Sequence, residues 1–125
     1  MLYDIDVPIE IKSAANLREH WTARASRNKK QAAVIKWHLL AANVRVTPDE
    51  PLTITITRHG RKLDFDNLPY SLKGVIDAIA DYCNPGLAAG RADSLPRFTW
   101  NVQQAKKRPK PLADFGLNIK IETIN

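Results

Sequence analysis

The stretch LTITITR at residues 52–58, followed by RKLDFDNLP at residues 61–69, sets the frame for the rest of the chain. Leucine or isoleucine alternates with threonine from residue 52 to residue 57. This period of two predicts a half-buried strand that ends near Arg58.

A helix is predicted directly after this stretch. Apolar residues recur at helical spacing, at Leu68, Leu72, Val75, Ile76 and Ile79. Asp66 or Asn67 supplies an N-cap, and Pro69 falls in the first turn, where its missing N–H costs little. The motif therefore lies at a strand-to-helix corner.

Acids and bases meet at this corner. Asp64 and Asp66 are two residues apart, so an extended chain projects both carboxylates to one side, where they can share one divalent ion or hold one each. Mg²⁺ suits such a site because it prefers hard oxygen ligands and keeps waters that can be activated. Lys73 and Asp77 fall on the helix face nearest the cap region. Two bases, Arg61 and Lys62, come just before the acids.

The same residues also have a purely structural interpretation. An Asp-x-Asp-Asn run before a helix is common turn and cap chemistry, and Lys73 with Asp77 is an ordinary i, i+4 pair. Both interpretations stand on the residues alone. The basic residues around the acids favour a site that handles phosphate.

Composition limits the class of protein. A chain of 125 residues with 44% hydrophobic residues is the size of one domain, and we predict a single domain over residues 1–125. Nineteen Lys and Arg against 13 Asp and Glu give a net charge of +6, which favours a polyanionic partner, nucleic acid first. The lone Cys83 excludes an internal disulfide. Without a leader-like start or a membrane-length apolar run, we expect a cytoplasmic protein with no membrane partner.

The N-terminal half predicts a strand and a helix. Apolar residues alternate from residue 3 to residue 11, and Pro8 indicates either an edge position or a break in strand pairing. A core helix is expected over residues 26–43, preceded by a mobile basic segment. Its predicted apolar stripe comprises Ala32, Ile35, Leu39 and Ala42, widened by Val34, Trp37 and Leu40.

Two more strands complete the predicted fold. Polar and apolar residues alternate over residues 97–103 and again over residues 117–122. The order strand, helix, strand, helix, strand, strand predicts an α+β fold with a mixed sheet of about four strands and both helices on one face. The other sheet face is expected to be polar, either solvated or part of an oligomer contact.

Two basic segments are candidates for binding the nucleic-acid backbone. The first contains Arg24, Arg27, Lys29 and Lys30, and the second contains Lys106, Lys107 and Arg108. Basic runs of this kind often lie on a solvated surface without a binding role. For each segment, both interpretations, solvated surface and nucleic-acid contact, remain open. If they bind, these segments, together with Arg61 and Lys62, position phosphates without reading bases.

The motif resembles a known family. Asp64-Phe65-Asp66-Asn67-Leu68 after a basic run, a lysine on the following helix, Ile76-Asp77-Ala78-Ile79, a glycine-containing loop and a later aspartate are similar to the RusA-type Holliday junction endonucleases of phage and prophage origin. The N-terminal strand, Asn16 and the basic segment are also similar to that family. In this chain Lys73 comes one helical turn later than the family's lysine, and Ile76-Asp77 shifts with it.

The resemblance implies a site and an activity. It implies a homodimer with a mixed α/β fold. It also implies an enzyme that uses Mg²⁺, or Mn²⁺, to cleave four-way DNA junctions in recombination and repair. Asp64, Asp66 and Asp93 would hold the metal, and Lys73 would stabilise charge in the transition state. Asn67 and Asp77 would support these residues. The host would be a bacterial or phage-infected cell.

Two other functions fit the same sequence. One is a catalytically silent nucleic-acid-binding protein of this fold, in which Asp64 and Asp66 only cap a helix. The other is a nuclease that prefers flaps, forks or other branched DNA.

Overall fold

The computed structural model describes residues 2–9, 21–47, 50–59, 71–85, 92–105 and 116–123. Within these residues the elements follow the predicted order. They are β1 (Leu2–Val7), α1 (Trp21–Ala41), β2 (Leu52–His59), α2 (Lys73–Cys83), β3 (Phe98–Gln104) and β4 (Gly116–Thr123).

The four strands form one mixed sheet in the order β1-β4-β2-β3. β4 runs antiparallel to both of its neighbours, β1 and β2, whereas β2 and β3 are parallel. A parallel pair needs a crossover connection, and α2 lies in the chain between β2 and β3. The expected α+β fold with a mixed four-stranded sheet is confirmed.

One face of the sheet forms the core. Ile54 lies opposite Ile121 and Ile56 lies opposite Ile119, and all four side chains are fully buried or nearly so. Burial of each such side chain contributes about 1.5–3 kcal/mol. The alternation of apolar and polar residues over residues 52–57 therefore identifies the buried face of the strand correctly.

The opposite face of the sheet is polar. Thr53, Thr55 and Thr57 of β2 lie opposite Glu122, Lys120 and Asn118 of β4. None of these six side chains is buried among the described residues. The predicted polar face is confirmed, and the described chain places no helix on it.

Both helices pack on the apolar face. α1 contributes Ile35 and Leu39, and α2 contributes Val75 and Ile79, to the same hydrophobic cluster as the sheet isoleucines. α1 packs mainly against α2. Neither described helix is both long enough and apolar enough to cross a membrane.

The predicted start of α1 was wrong. The helix begins at Trp21, five residues before the expected residue 26, so Arg24 lies inside it. Arginine, lysine and alanine are strong helix formers, and residues 21–30 are rich in them, so this part of the helix forms with few apolar anchors.

The predicted width of the α1 apolar stripe was also wrong. Val34, Trp37 and Leu40 are 39, 64 and 66% exposed, whereas Ile35 and Leu39 are fully buried. The core side of the helix is therefore narrower than the apolar sequence pattern indicated.

Arg97 shows that some cations of this chain serve the fold. Its Nε donates to the Glu50 carbonyl at 3.0 Å, Nη1 to Asn84 Oδ1 at 3.0 Å and Nη2 to the Thr47 carbonyl at 3.1 Å. The guanidinium also lies 5.1 Å from the centre of the Phe98 ring. Arg97 thereby fastens the start of β3 to the end of α2 and to the segment before β2.

Gly116 lets β4 approach β1 closely. Its φ of +156° is one that residues with a side chain rarely adopt, and a Cβ at this position would lie 2.9 Å from the Val7 carbonyl oxygen. Any larger residue here would push the two strands apart at the end of their pairing.

Candidate functional site

Lys73 lies between two carboxylates at the first turn of α2. Its Nζ donates to Asp93 Oδ2 at 2.5 Å and forms an ion pair with Asp77 Oδ1 at 3.0 Å. The Lys73 side chain is 52% exposed, whereas those of Asp77 and Asp93 are 27 and 22% exposed. The cluster is therefore open to solvent on the lysine side and shielded on the carboxylate side.

The helix and β3 together bring Asp93 to Lys73. Ala92 is fully buried, and the Leu95 N–H donates to its carbonyl at 3.1 Å, so the chain turns at this point. Trp100 of β3 donates from its indole N–H to the Asp93 carbonyl at 2.9 Å. Because Trp100 pairs with Ile54 of β2, the sheet itself fixes the position of Asp93.

The pKa values of Lys73 and Asp77 are both raised, but for different physical reasons. The hydrogen bond with Asp93 raises the pKa of Lys73, and Asp77 acts in the same direction, although partial burial opposes both. Burial also raises the pKa of Asp77, and this effect outweighs the opposing attraction of Lys73. Lys73 therefore remains a cation throughout the neutral range.

Asp77 Oδ1 is shielded from solvent, and the Lys73 ammonium lies 3.0 Å from it as an ion-pair partner. This contact opposes the effect of burial on the pKa of Asp77. A buried carboxylate oxygen with spare acceptor capacity can take a further donor or cation.

α1 forms a polar wall beside the same turn of α2. A Cβ on Gly74 would lie 3.3 Å from both Asn28 Oδ1 and Gln31 Oε1, so the two helices are in close contact here. Gln31 is only 7% exposed, and its Oε1 has no hydrogen-bond partner within the described residues. Arg24, one helical turn before Asn28, has a buried Nε that likewise lacks one.

Sequence reasoning missed Asn28 and Gln31. The signal was present, because residues 24, 28 and 31 continue toward the N-terminus the spacing of Ile35 and Leu39. Polar residues on the core side of a helix are uncommon enough to deserve a functional interpretation.

The structure brings together three of the predicted site residues, Lys73, Asp77 and Asp93. In α1, Lys29 and Lys30 are exposed, whereas Arg24 and Arg27 are half-buried. The remaining candidates lie outside the described residues: Arg61, Lys62, Asp64, Asp66, Asn67, Lys106, Lys107 and Arg108.

Asp77 and Asp93 could bind a divalent cation only together with further ligands. Carboxylate oxygens are the ligands that Mg²⁺ prefers. However, the described part of the chain contains no group of three or more His, Cys, Asp or Glu side chains placed to hold a metal. Asp93 and Asp77 can therefore contribute ligands but do not make a metal site by themselves.

Comparison of the chain with models of protein families, with curated proteins and with solved structures found no match.

Proposed function

We propose that this protein is a Mg²⁺-dependent, structure-selective DNA endonuclease that resolves four-way junctions in recombination and repair. The observation that carries the proposal is Lys73, held between Asp77 and Asp93 at the start of α2 in a chain with a net charge of +6. The Asp-x-Asp-Asn motif just before this helix, at residues 64–67, adds the resemblance to RusA-type enzymes.

Each residue of the site has a proposed role. Asp64, Asp66 and Asp93 would hold Mg²⁺, or Mn²⁺ in its place. When bound, the metal would supply an activated water and neutralise charge on the phosphorus oxygens. Lys73 binds a phosphate oxygen and stabilises the charge that develops in the transition state. Asp77 keeps Lys73 oriented through the 3.0 Å ion pair.

Lys73 is well suited to this role because it keeps its proton. The hydrogen bond with Asp93 raises the pKa of the ammonium group. The side chain is also half exposed, so a DNA phosphate can reach it. A point charge with three donors binds phosphate without demanding one geometry.

The proposal includes a homodimer that acts in the cytoplasm. Resolving a four-way junction requires a pair of symmetric nicks, and a two-fold dimer presents two identical sites to the strands. Exposed bases of α1, such as Lys29 and Lys30, would position the DNA backbone.

The decisive experiment measures cleavage of a labelled synthetic four-way junction, with Mg²⁺ and with chelator. We expect Asp66→Asn and Lys73→Met each to lower the single-turnover rate by about a hundredfold or more. Glu122→Gln is the matched control, because Glu122 is an exposed acid on the polar sheet face. Cleavage by Asp66→Asn at the parent rate contradicts the proposal.

A silent nucleic-acid-binding protein is the main alternative, and one observation favours it. Lys73 and Asp77 form an i, i+4 ion pair of the kind found on many helices without function. A calorimetric Mg²⁺ titration separates the two, because a silent binder has no metal affinity that depends on Asp66. A competition assay among junction, flap, fork and linear DNA would identify a nuclease that prefers a substrate other than the four-way junction.

A further inference from the structure

The solvent side of α1 carries an apolar stripe. Trp37 and Leu40 are 64 and 66% exposed, Val34 is 39% exposed, and Ala33 and Ala41 are exposed as well. With 3.6 residues per turn, these five positions lie together on one side of the helix, away from the residues that pack in the core. Single exposed apolar residues are ordinary, whereas a contiguous group of them marks an interaction surface.

The spacing of the apolar stripe is symmetric about Trp37. Ala33 and Ala41 lie four residues before and after it, and Val34 and Leu40 lie three residues before and after it. If a second copy of α1 runs antiparallel across this point, Leu40 lies beside the partner's Ala33, and Val34 lies beside the partner's Ala41. Each larger side chain then faces a small one, and the two indole rings meet at the two-fold axis. The stripe is therefore complementary to itself.

The charges of α1 favour the same antiparallel arrangement. α1 contains no Asp or Glu, and four of its five Lys and Arg residues lie before residue 31, at Arg24, Arg27, Lys29 and Lys30. A parallel pair would place these cations side by side, whereas an antiparallel pair keeps them at opposite ends. Lys30 then lies near the C-terminal turn of the partner's helix, where free carbonyl groups favour a positive charge.

The position of the stripe is compatible with two working sites. Asn28 and Gln31, on the inner side of α1, contact Gly74, which is next to Lys73. A partner bound to the outer side of α1 therefore leaves the Lys73 cluster uncovered in both copies. The apolar side chains of the stripe give a phosphate group no hydrogen-bond donor, whereas tryptophan is enriched at the centres of protein interfaces.

We propose that the apolar stripe of α1 is a homodimer interface, in which two copies of the helix pack antiparallel across a two-fold axis at Trp37. This inference rests on the proposed function in that it gives the proposed homodimer its contact surface, but it requires neither DNA nor cleavage. A contact through one helix buries less than about 1,200 Å², so we expect a dissociation constant of about 1–100 μM. At lower concentrations the protein is a monomer in which Leu40 is simply exposed to solvent.

The first test measures the molar mass of the full-length protein by analytical ultracentrifugation over a range of concentrations. Trp37→Glu and Leu40→Glu each place a carboxylate in the interface, so we expect each to raise the dissociation constant by at least about tenfold. Leu2→Glu is the matched control, because Leu2 is 57% exposed but lies on β1, and it should associate as the parent does. Thermal melts verify that each variant is folded.

Two results of this measurement overturn the interface. One is a parent protein that remains monomeric up to about 500 μM, well above the expected dissociation constant. The other is a loss of association in Leu2→Glu as large as in Trp37→Glu.

Cysteine cross-linking tests the antiparallel register without adding a charge. Antiparallel packing places Leu40 beside the partner's Ala33, so a mixture of Ala33→Cys and Leu40→Cys should form a disulfide-linked dimer. Each variant alone should cross-link several-fold less. The parent gives the background, because its Cys83 is buried. Cross-linking of Leu40→Cys alone that equals the mixture would indicate a parallel pair and overturn the proposed register.

Cleavage and DNA binding by the same proteins distinguish this inference from the proposed function. A parent protein that dimerises through the stripe but does not cut a four-way junction retains the interface and contradicts the nuclease. A parent that cuts the junction but remains monomeric retains the nuclease and contradicts the interface. If Trp37→Glu weakens DNA binding and leaves the mass of the free protein unchanged, the stripe contacts nucleic acid and the interface is overturned.

Discussion

The two halves of α1 present the same helical side to the protein interior but fill it differently. In the C-terminal half, Ile35 and Leu39 are fully buried in the hydrophobic cluster. In the N-terminal half, Asn28 and Gln31 contact Gly74 of α2, and Gln31 is buried without a hydrogen bond among the described residues. The C-terminal half of α1 stabilises the fold, whereas the N-terminal half buries polar atoms, which lowers the stability of the fold. Such a cost is common at binding sites.

Leu39→Ala tests the stabilising half and has the largest expected effect. Removing a fully buried leucine side chain leaves a cavity, so the free energy of unfolding should fall by about 2–5 kcal/mol. Urea denaturation measures the change. Leu40→Ala is the control, because Leu40 is 66% exposed, and it should change stability by about 0.5 kcal/mol or less. Similar losses in both variants would mean that the helix packs in another rotation.

Gln31→Leu tests the polar half. It replaces a buried, unpaired amide with an apolar group of similar size, so we expect the free energy of unfolding to rise by about 1–3 kcal/mol. Gln103→Leu is the control, because Gln103 is exposed on the polar sheet face, where its amide donates to Thr57. A loss of stability in Gln31→Leu would show that its amide has a partner in the folded protein.

Gly74→Ala probes how closely the two helices approach. Alanine favours a helix over glycine by about 1 kcal/mol, but the new Cβ would lie 3.3 Å from Asn28 Oδ1 and from Gln31 Oε1. We expect these effects to leave a net change below about 1 kcal/mol. The double variant with Asn28→Ala should be more stable than the sum of the single changes. Strict additivity would mean that α1 and α2 do not touch at this point.

Asp77→Asn gives the smallest expected effect and tests the charged edge of the contact. Burial raises the pKa of Asp77 above its usual 3.8, so the folded protein binds this proton before the unfolded chain does as the pH falls. The carboxylate therefore lowers stability above its folded pKa, and that cost disappears as the pH falls through it toward 3.8.

The variant, neutral at every pH, should be more stable than the parent at about pH 7 by roughly 0.5 kcal/mol or less, and equal to it in acid. Urea denaturation at both pH values measures the difference. A parent that is more stable than Asp77→Asn at about pH 7 and loses this advantage in acid would mean that Lys73 lowers the pKa of Asp77 more than burial raises it.

The fold was largely predictable because its strands alternate clearly. Ile54 and Ile56 alternate with threonines, and this period of two identifies both the strand and its buried face. The start of α1 was missed because apolar periodicity does not detect a helix whose first turns are basic. Trp37 and Leu40 were misplaced because apolar residues also occur on exposed faces.

The candidate site was predictable only where its residues lie close together in the sequence. Lys73 and Asp77 are four residues apart on one helix, so their pairing follows from helical geometry. Asp93 was proposed from resemblance, and its approach to Lys73, 20 residues earlier in the chain, is supported by the hydrogen bond that the Trp100 indole donates to the Asp93 carbonyl. Gln31 was missed although its spacing from Ile35 and Leu39 places it on the core side of α1, because a buried polar side chain there is revealed only by the packing of α1 beside Gly74 of α2.

The order of strands in the sheet also determines when the protein can assemble. β4 lies between β1 and β2 and pairs with both, although it follows the other described elements in the chain. During synthesis β1 and β2 therefore leave the ribosome before β4 can lie between them. Among the described strands, the parallel pair of β2 and β3 is the one that can form before β4 is made. The long-range closure by β4 is a slow kind of step. We expect chains arrested before residue 116 to expose apolar strands and bind chaperones, and chains that extend through β4 to lose that binding.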